Sequence, residues 1–363
     1  MMIDSFLTRA TPTWMNREDD YSDIVISTRI RLARNLDGYR FPLAFSENEA
    51  LQIEQAVTHA IKDSTQLSQN YAYFAIKDLS PLQRQILVEK HLISPQLAKK
   101  EQVGSMLLSE DEAVSIMVNE EDHLRIQCMT ASFQLQQAYE QADAIDRILE
   151  KTLPYAFRGT FGYLTSCPTN IGTGLRASVM MHLPALTLTG QMNQIINAMT
   201  RLGMTVRGIY GEGSESLANM YQVSNQITLG KAEDDILADI QSVAEKIIQK
   251  ERQARERLLE KAEFALEDRV YRALGTLTHA RILTSEEAAT CLSNVRLGID
   301  LKLIDNIPAT TINECIVSMQ PGFLQHYVNE ILPPAERDRI RATMLREVLM
   351  NKPMIDEKGA DAI

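Results

Sequence analysis

Residues 24–34 (IVISTRIRLAR) alternate apolar and polar side chains with a period of two. That pattern fits an extended strand with one face buried far better than it fits a helix. Ile24, Ile26, Thr28, Ile30 and Leu32 are expected on one face, and Val25, Ser27, Arg29, Arg31 and Ala33 on the other. Two guanidinium groups then share one face of a rigid sheet. They can be merely solvated, but their planar forks of donors also suit the oxygens of a polyphosphate.

A second constraint lies at residues 113–129. AVSIMV and LRIQCM are rich in β-formers, so the sequence between them, Asn119 to His123, forms the turn of a hairpin. Glu120, Glu121 and Asp122 repel one another there, and such a turn is either solvated or holds something cationic. Leu124, Ile126 and Cys128 share the buried face, which puts Arg125 on the polar side with His123 and Gln127. Further on, TSCPTNIGTGLR (165–176) is a Cys-Pro turn followed by Gly172, Gly174 and Arg176. MTVRGIYGEG (204–213) is a short strand carrying Arg207, then a loop in which Gly208, Gly211 and Gly213 surround Glu212. Neither is a Walker loop. The three glycines supply the mobility that a lid over a substrate requires.

Composition narrows the class. A chain of 363 residues can bury sizeable cores and is expected to split into two domains. It has no window of ~18 apolar residues and no basic-then-apolar leader pattern. Cys128, Cys167, Cys291 and Cys315 show no C-x-x-C pairing, so neither a zinc site nor a disulfide framework is indicated and no protein metal site is expected. A reducing cytoplasm fits this best. The net charge of −11 argues against direct nucleic-acid binding and suits a basic or arginine-rich partner.

Along the chain, residues 1–22 read as an irregular lead-in with Trp14. Residues 23–230 mix strands with helices such as 46–66 and 80–91. Residues 231–262 form a long amphipathic helix with Ile236, Ile240, Val243, Ile247 and Ile248 on its apolar stripe. Helical patterns punctuated by Pro308, Pro321, Pro333 and Pro334 fill 263–350. The expected division is a first domain over 1–250, a helical domain over 251–350 and a flexible tail over 351–363.

The motifs STRIR (27–31), KDLSPLQRQILVEKHLISP (77–95), VNEEDHLR (118–125), TSCPTNIGTGLRAS (165–178) and RGIYGEGSES (207–216) occur together and in order over residues 14–230. In this the chain resembles the phosphagen (guanidino) kinase family. The resemblance implies an α+β fold, an antiparallel β-sheet flanked by helices, here followed by a C-terminal all-helical domain. Creatine and arginine kinases carry a small helical domain ahead of the S-x-R-x-R strand. Here that strand begins at Ser27, and more than a hundred residues follow the kinase motifs. This layout is similar to the bacterial protein-arginine kinase branch, where an uncovered acceptor site can admit an arginine still in a polypeptide. The implied activity is transfer of the ATP γ-phosphate to protein arginines, the alternatives being a kinase of free arginine or a non-catalytic phosphoarginine-binding adaptor.

The resemblance also implies roles. Arg29, Arg31, Arg125, Arg176 and Arg207 match the arginines that grip nucleotide phosphates. The ATP-binding stretches further include Ser27, Thr28, Ile30, Ala177, Ser178, Val179, Met180, Gly208, Ile209, Tyr210, Gly211 and Glu212, with His91 against the base. Met180 stands where the creatine kinase pattern often has histidine, which makes the base pocket more apolar. Mg2+ would be held mainly by phosphates and water. Glu212 is the expected catalytic base and Glu121 its partner, while Glu120 and Asp122 support the turn and the metal–water shell. Cys167 matches the family's reactive cysteine. In RDRIRA (337–342), Arg337 and Asp338, helped by Arg341, would bind phosphoarginine and stimulate the kinase. The implied partners are protein substrates, a zinc-binding activator protein, a Clp-type protease, an arginine-containing repressor and a second copy of the chain in a homodimer, in the cytoplasm and away from membranes.

Overall fold

The computed structural model describes residues 3–8, 12–15, 19–68, 70–101, 103–208 and 216–350. The arginine-bearing segment is strand β1 (Val25–Arg34), near the middle of an antiparallel eight-stranded sheet. On one side lie β5 (Leu124–Ala131), β4 (Val114–Val118), β3 (Ser105–Ser109) and the edge strand β2 (Tyr71–Ala75). On the other lie β8 (Leu175–His182), β10 (Met220–Asn225) and the edge strand β9 (Met204–Gly208). Phe157–Arg158 (β6) and Gly162–Tyr163 (β7) form a separate small hairpin.

The alternation in β1 holds from Ser27 onward but slips at its start. The register to β8 shifts between Val25 and Ser27, a β-bulge. Val25 therefore joins Ile24, Ile30 and Leu32 in one core, while Ile26 crosses to the opposite core with Met129 and Met180. The expectation that Ile26 sides with Ile24 fails for this reason.

Each sheet face carries its own core. The first is closed by α2 (Glu47–Asp63), α5 (Leu135–Glu150), α6 (Pro184–Leu188), α7 (Met192–Arg201) and the first half of α8 (Glu233–His279). Helix α2 starts where a reciprocal capping box forms: Ser46 accepts from the amide of Glu49, whose carboxylate accepts from the amide of Ser46. The second core contains Met106, Met117, Met129, Met180 and Met220, unbranched side chains that fill irregular gaps. It is covered by α1 (Asp4–Thr8), α3 (Pro81–Glu89), α4 (Pro95–Ala98), α9 (Ser285–Asp300), α10 (Ala309–Ser318), α11 (Pro321–Val328) and α12 (Pro334–Leu349). The C-terminal helices thus complete a core begun by the sheet. The lead-in is less irregular than expected: α1 is tied down by the buried Lys90, whose ammonium donates to the carbonyl of Phe6 at 2.7 Å and pairs with Glu112.

Helix α8 runs on to His279, beyond the expected end at 262. The expected boundary at 250/251 falls inside it, next to the buried Glu251, whose carboxylate accepts from the amides of Ala185 and Leu186 and so caps α6. The helix departs from helical dihedrals at Ala262 (φ −146°, ψ 34°). Residues 351–363, expected to be a tail, lie outside the described residues.

One partly buried carboxylate joins α3 to the C-terminal region. Glu89 accepts from the amides of Gly322 (2.8 Å) and Phe323 (3.3 Å) in the first turn of α11, and from Gln85 (2.9 Å). Burial raises its pKa from 4.5 to about 7, although these hydrogen bonds and the nearby Arg337 oppose the rise. A carboxyl group with a raised folded-state pKa stabilises the fold below its unfolded pKa, and that contribution is lost as pH rises through about 7. Glu89→Gln should remove the effect. Between about pH 4 and about pH 8 the wild type should lose about 3 kcal/mol of unfolding free energy relative to the variant. Parallel urea melts check this, and parallel pH profiles would contradict it.

Candidate active site

The polar face of β1 builds the site by register. Arg31 stands directly opposite Arg176 on β8 and Gln127 on β5. One row along, Arg29 lies opposite Ser178 and Met129, and beyond it Ser27, Met180, Gln222 and Arg207 form a row over four strands. Arg29 donates to the side chain of Gln222. Arg125 completes the group from β5, beside Ala33. Like charges directly across a sheet destabilise it, so this arrangement has a cost that packing must offset.

The electrostatics record that cost. Burial, followed by Arg29, Arg125 and Arg176, pushes the Arg31 pKa well below the ordinary arginine value. Burial, then Arg207 and Arg125, lowers that of Arg176 as well. The Nε atoms of Arg31 and Arg176 are buried and have no hydrogen-bond partner among the described residues. Such donors call for an acceptor, and an anion answers both the charge and the hydrogen-bonding deficit. Arg125 differs: it pairs with Glu120 and Glu121, each at 2.8 Å.

These groups line a cleft of about 200 Å³ bounded by Arg31, Ala33, Glu121, Arg125, Cys167, Thr169, Asn170, Gly174 and Arg176. A smaller one of about 80 Å³ adjoins it through Thr169, Asn170 and Arg176 and reaches Arg207. Thr169 and Asn170 were not singled out from sequence, though they sit inside the Cys-Pro-Thr-Asn motif that contains Cys167.

The acidic turn is not a solvated one. Glu120 and Asp122 are buried and only Glu121 is partly exposed. Glu120 accepts from Ser94 (2.5 Å), Arg125 and its own neighbour's amide (2.8 Å), so it fixes the turn. Asp122 accepts from Asn35 (2.7 Å) and from the amide of Ser166 (2.6 Å), which pins the Cys167 loop to the turn carrying Glu121. His123, expected beside Arg125 and Gln127, instead stacks on Phe45, and its Nδ1 accepts from the amide of Leu36 at 3.0 Å. Cys167 is half-buried, with its sulfur 3.0 Å from the Thr169 hydroxyl.

Two glycines between Cys167 and Arg176 are required by geometry. Gly172 (φ 112°) would place a Cβ 2.4 Å from the carbonyl oxygen of Thr228, and Gly174 (φ 65°) one 2.5 Å from Arg34. Arg34, unnoticed in the sequence, supports this loop from below. It donates to the carbonyl of Thr173 (2.9 Å), pairs with Asp146 (2.6 Å) and lies under the ring of Tyr163.

Other expected residues divide by face. Ile30, Ala177 and Val179 point into the first core, so their side chains do not reach the cleft, and the Thr28 hydroxyl donates to the carbonyl of Ser132. Ser178 donates to the carbonyl of Arg29, and the Ser27 hydroxyl contacts the sulfur of Met180 at 3.0 Å. His91 is half-buried with a left-handed backbone (φ 58°), its ring 6.4 Å from that of Trp14, and desolvation plus Arg29 lowers its pKa to about 3. It is therefore a neutral aromatic ring. Gly208 ends β9, whereas Ile209, Tyr210, Gly211 and Glu212 lie outside the described residues. In α12, Arg337 is partly exposed. Arg341 is buried and spends its guanidinium on the carbonyls of Met319 (3.0 Å) and Leu283 (2.9 Å) and on Asp338 (2.5 Å), so it orients Asp338.

Residues 52–254, more than half of the chain, match the family described as ATP:guanido phosphotransferase, C-terminal catalytic domain. The chain belongs to this family. Residues 263–359 match the protein-arginine kinase McsB C-terminal domain. A protein-arginine kinase of Halalkalibacterium halodurans is 51% identical over 346 residues, covering 95% of this chain and 97% of the relative. One from Geobacillus stearothermophilus is 51% identical over 353 residues, covering 96% of each. Among solved structures, lombricine kinase superposes with a TM-score of 0.57 at 24% identity, over 67% of this chain and 70% of that one. The duplicated taurocyamine kinase of Schistosoma mansoni in its substrate-free form gives 0.57 at 23% identity, over 73% and 40%. Both show the guanidino-kinase fold.

Removing Arg31, whose Nε is buried without a partner among the described residues, should separate stability from binding. Arg31→Met should leave the ligand-free unfolding free energy unchanged or raise it. It should also abolish stabilisation by ATP, which in the wild type reaches about 2.7 kcal/mol at a hundredfold excess over Kd. Thermal shift with and without ATP reads both. A variant that melts lower yet keeps the ATP shift would contradict the assignment.

Proposed function

We propose that this ATP:guanidino phosphotransferase acts on arginine side chains within proteins. The observation that carries the reading is the shared cleft: guanidinium groups suited to phosphates (Arg31, Arg125, Arg176) and acceptor-side groups (Glu121, Cys167) line the same walls. The protein acceptor is supported by relatives named protein-arginine kinase that align over nearly the whole chain, and by the matching C-terminal domain.

Phosphoryl transfer requires neutralised phosphate charge and an aligned nucleophile rather than covalent help from the enzyme. Arg29, Arg31, Arg125, Arg176 and Arg207 supply the positive face. Mg2+, held by phosphates and water, adds charge neutralisation when bound. The acceptor guanidinium keeps its proton below a pKa of about 12, so a carboxylate must orient it and take the proton as the N–P bond forms and the γ-phosphate leaves ADP. Glu212 is the proposed base and Glu121 its partner. Glu121 is held by Arg125 in this structure. When phosphates take over Arg125, Glu121 is released to receive the acceptor, so nucleotide binding prepares the acceptor site. Cys167 adds an anionic partner for the guanidinium when ionised.

The Arg337–Asp338 pair is a proposed phosphoarginine site, Asp338 being aligned by Arg341. The kinase unit is proposed to end at the break in α8 at Ala262, between the two matched regions. Among the described residues no helix is long and apolar enough to cross a membrane. A cytoplasmic location, a zinc-binding activator, a Clp-type protease, a repressor substrate and a homodimer belong to the same proposal.

The test is incubation with γ-labelled ATP, magnesium and an arginine-rich protein. The expected product is an acid-labile, alkali-stable label mapped to arginine, lost in Glu212→Ala while ATP binding persists. Label on free arginine alone would make the acceptor a small guanidine, and loss of ATP binding in Glu212→Ala would overturn its role as base.

A further inference from the structure

The segment that carries Glu212 re-enters the sheet through residues with unusual backbones. Ala218 (φ 59°, ψ 26°) and Asn219 (φ 54°) are successive left-handed residues immediately before β10. Alanine disfavours that conformation strongly, so the surroundings must hold it. The hold comes from the C-terminal region. Asn219 donates from its amide to the hydroxyl of Ser293 in α9 at 2.7 Å, and the same hydroxyl shares a 2.8 Å hydrogen bond with Nε2 of His182 at the end of β8. The carbonyl of Asn219 accepts from the amide of Leu183 at 2.9 Å. Ser293 and His182 are buried, and burial beside Arg255 and Arg296 keeps His182 neutral.

Helix α9 is itself held at both ends. Near its C-terminus Arg296 donates to the carbonyl of Ser22 (2.6 Å) and to Asn313 (2.8 Å). Just ahead of its start, Leu283 bonds to α12 through its backbone, donating to the carbonyl of Asp338 (3.1 Å) and accepting from the Arg341 guanidinium (2.9 Å).

We propose that Ser293 is a positioning residue for phosphoryl transfer, holding Asn219 against His182 so that the chain leaves the Glu212 segment in a fixed direction. It touches neither ATP nor acceptor. The inference rests on the reading of Glu212 as catalytic. It gives the C-terminal region a part in the chemistry rather than only in the core.

The experiment uses the full chain as Ser293→Ala, Asn219→Gly and the double variant, assayed well below their melting temperatures. Glycine adopts the Asn219 backbone without strain but lacks the amide donor. Each single variant should lower kcat at least about tenfold with the KM for ATP changed less than about twofold. The double variant should be no worse than the poorer single, because both remove one contact. Amide exchange at Leu183 should accelerate in Ser293→Ala. Losses that multiply in the double variant, or wild-type kcat and exchange with only a lowered melting temperature, would overturn the proposal. If the wild type transfers no phosphate to arginine, the functional reading falls, and the exchange comparison still decides whether Ser293 holds Asn219.

Discussion

The structure depends on one costly interaction, the mutual repulsion of arginines on one face of the sheet. Arg31 and Arg176 face each other across β1 and β8, with Arg125 and Arg207 close by. Only a rigid support keeps such groups together without an anion. The antiparallel sheet is that support, because its other face is closed by a continuous aliphatic core and its own second face is partly covered by helices. In the proposed reading this repulsion favours binding of a polyphosphate, in keeping with buried donors that find no partner among the described residues.

Arg125 shows how the protein limits the cost. Of the cleft arginines it has acidic partners at hand, and its pair with Glu121 shields both groups. Since Glu121 is also the proposed acceptor ligand, that pair links the two substrates. In the proposed mechanism, phosphates and acceptor replace one internal ion pair by two external ones.

Much of this was legible in the sequence because it follows from period-two alternation. The placement of Arg29, Arg31 and Arg125 on one face, and the hairpin turn at Glu120–Asp122, required only pattern and turn chemistry. The family resemblance supplied expected roles that no pattern could, as for Cys167 and His91. The bulge at Ile26 was hidden because one extra residue leaves no mark in an apolar run. Arg34, Ser293 and Asn219 were hidden because each acts through partners over a hundred or seventy residues away. The continuity of α8 past residue 262 was missed, and the expected boundary at 250/251 cut a helix in which Glu251 and Arg255 are buried as a pair. Glu212 lies outside the described residues, so its role rests on sequence alone.

The most direct test is a crystal structure with a non-hydrolysable ATP analogue, magnesium and an arginine peptide. The account predicts phosphate oxygens bonded to Arg31, Arg125 and Arg176, with Glu121 parted from Arg125 and turned to the peptide's guanidinium. Phosphates bound elsewhere, with the Arg125–Glu121 pair intact, would contradict it.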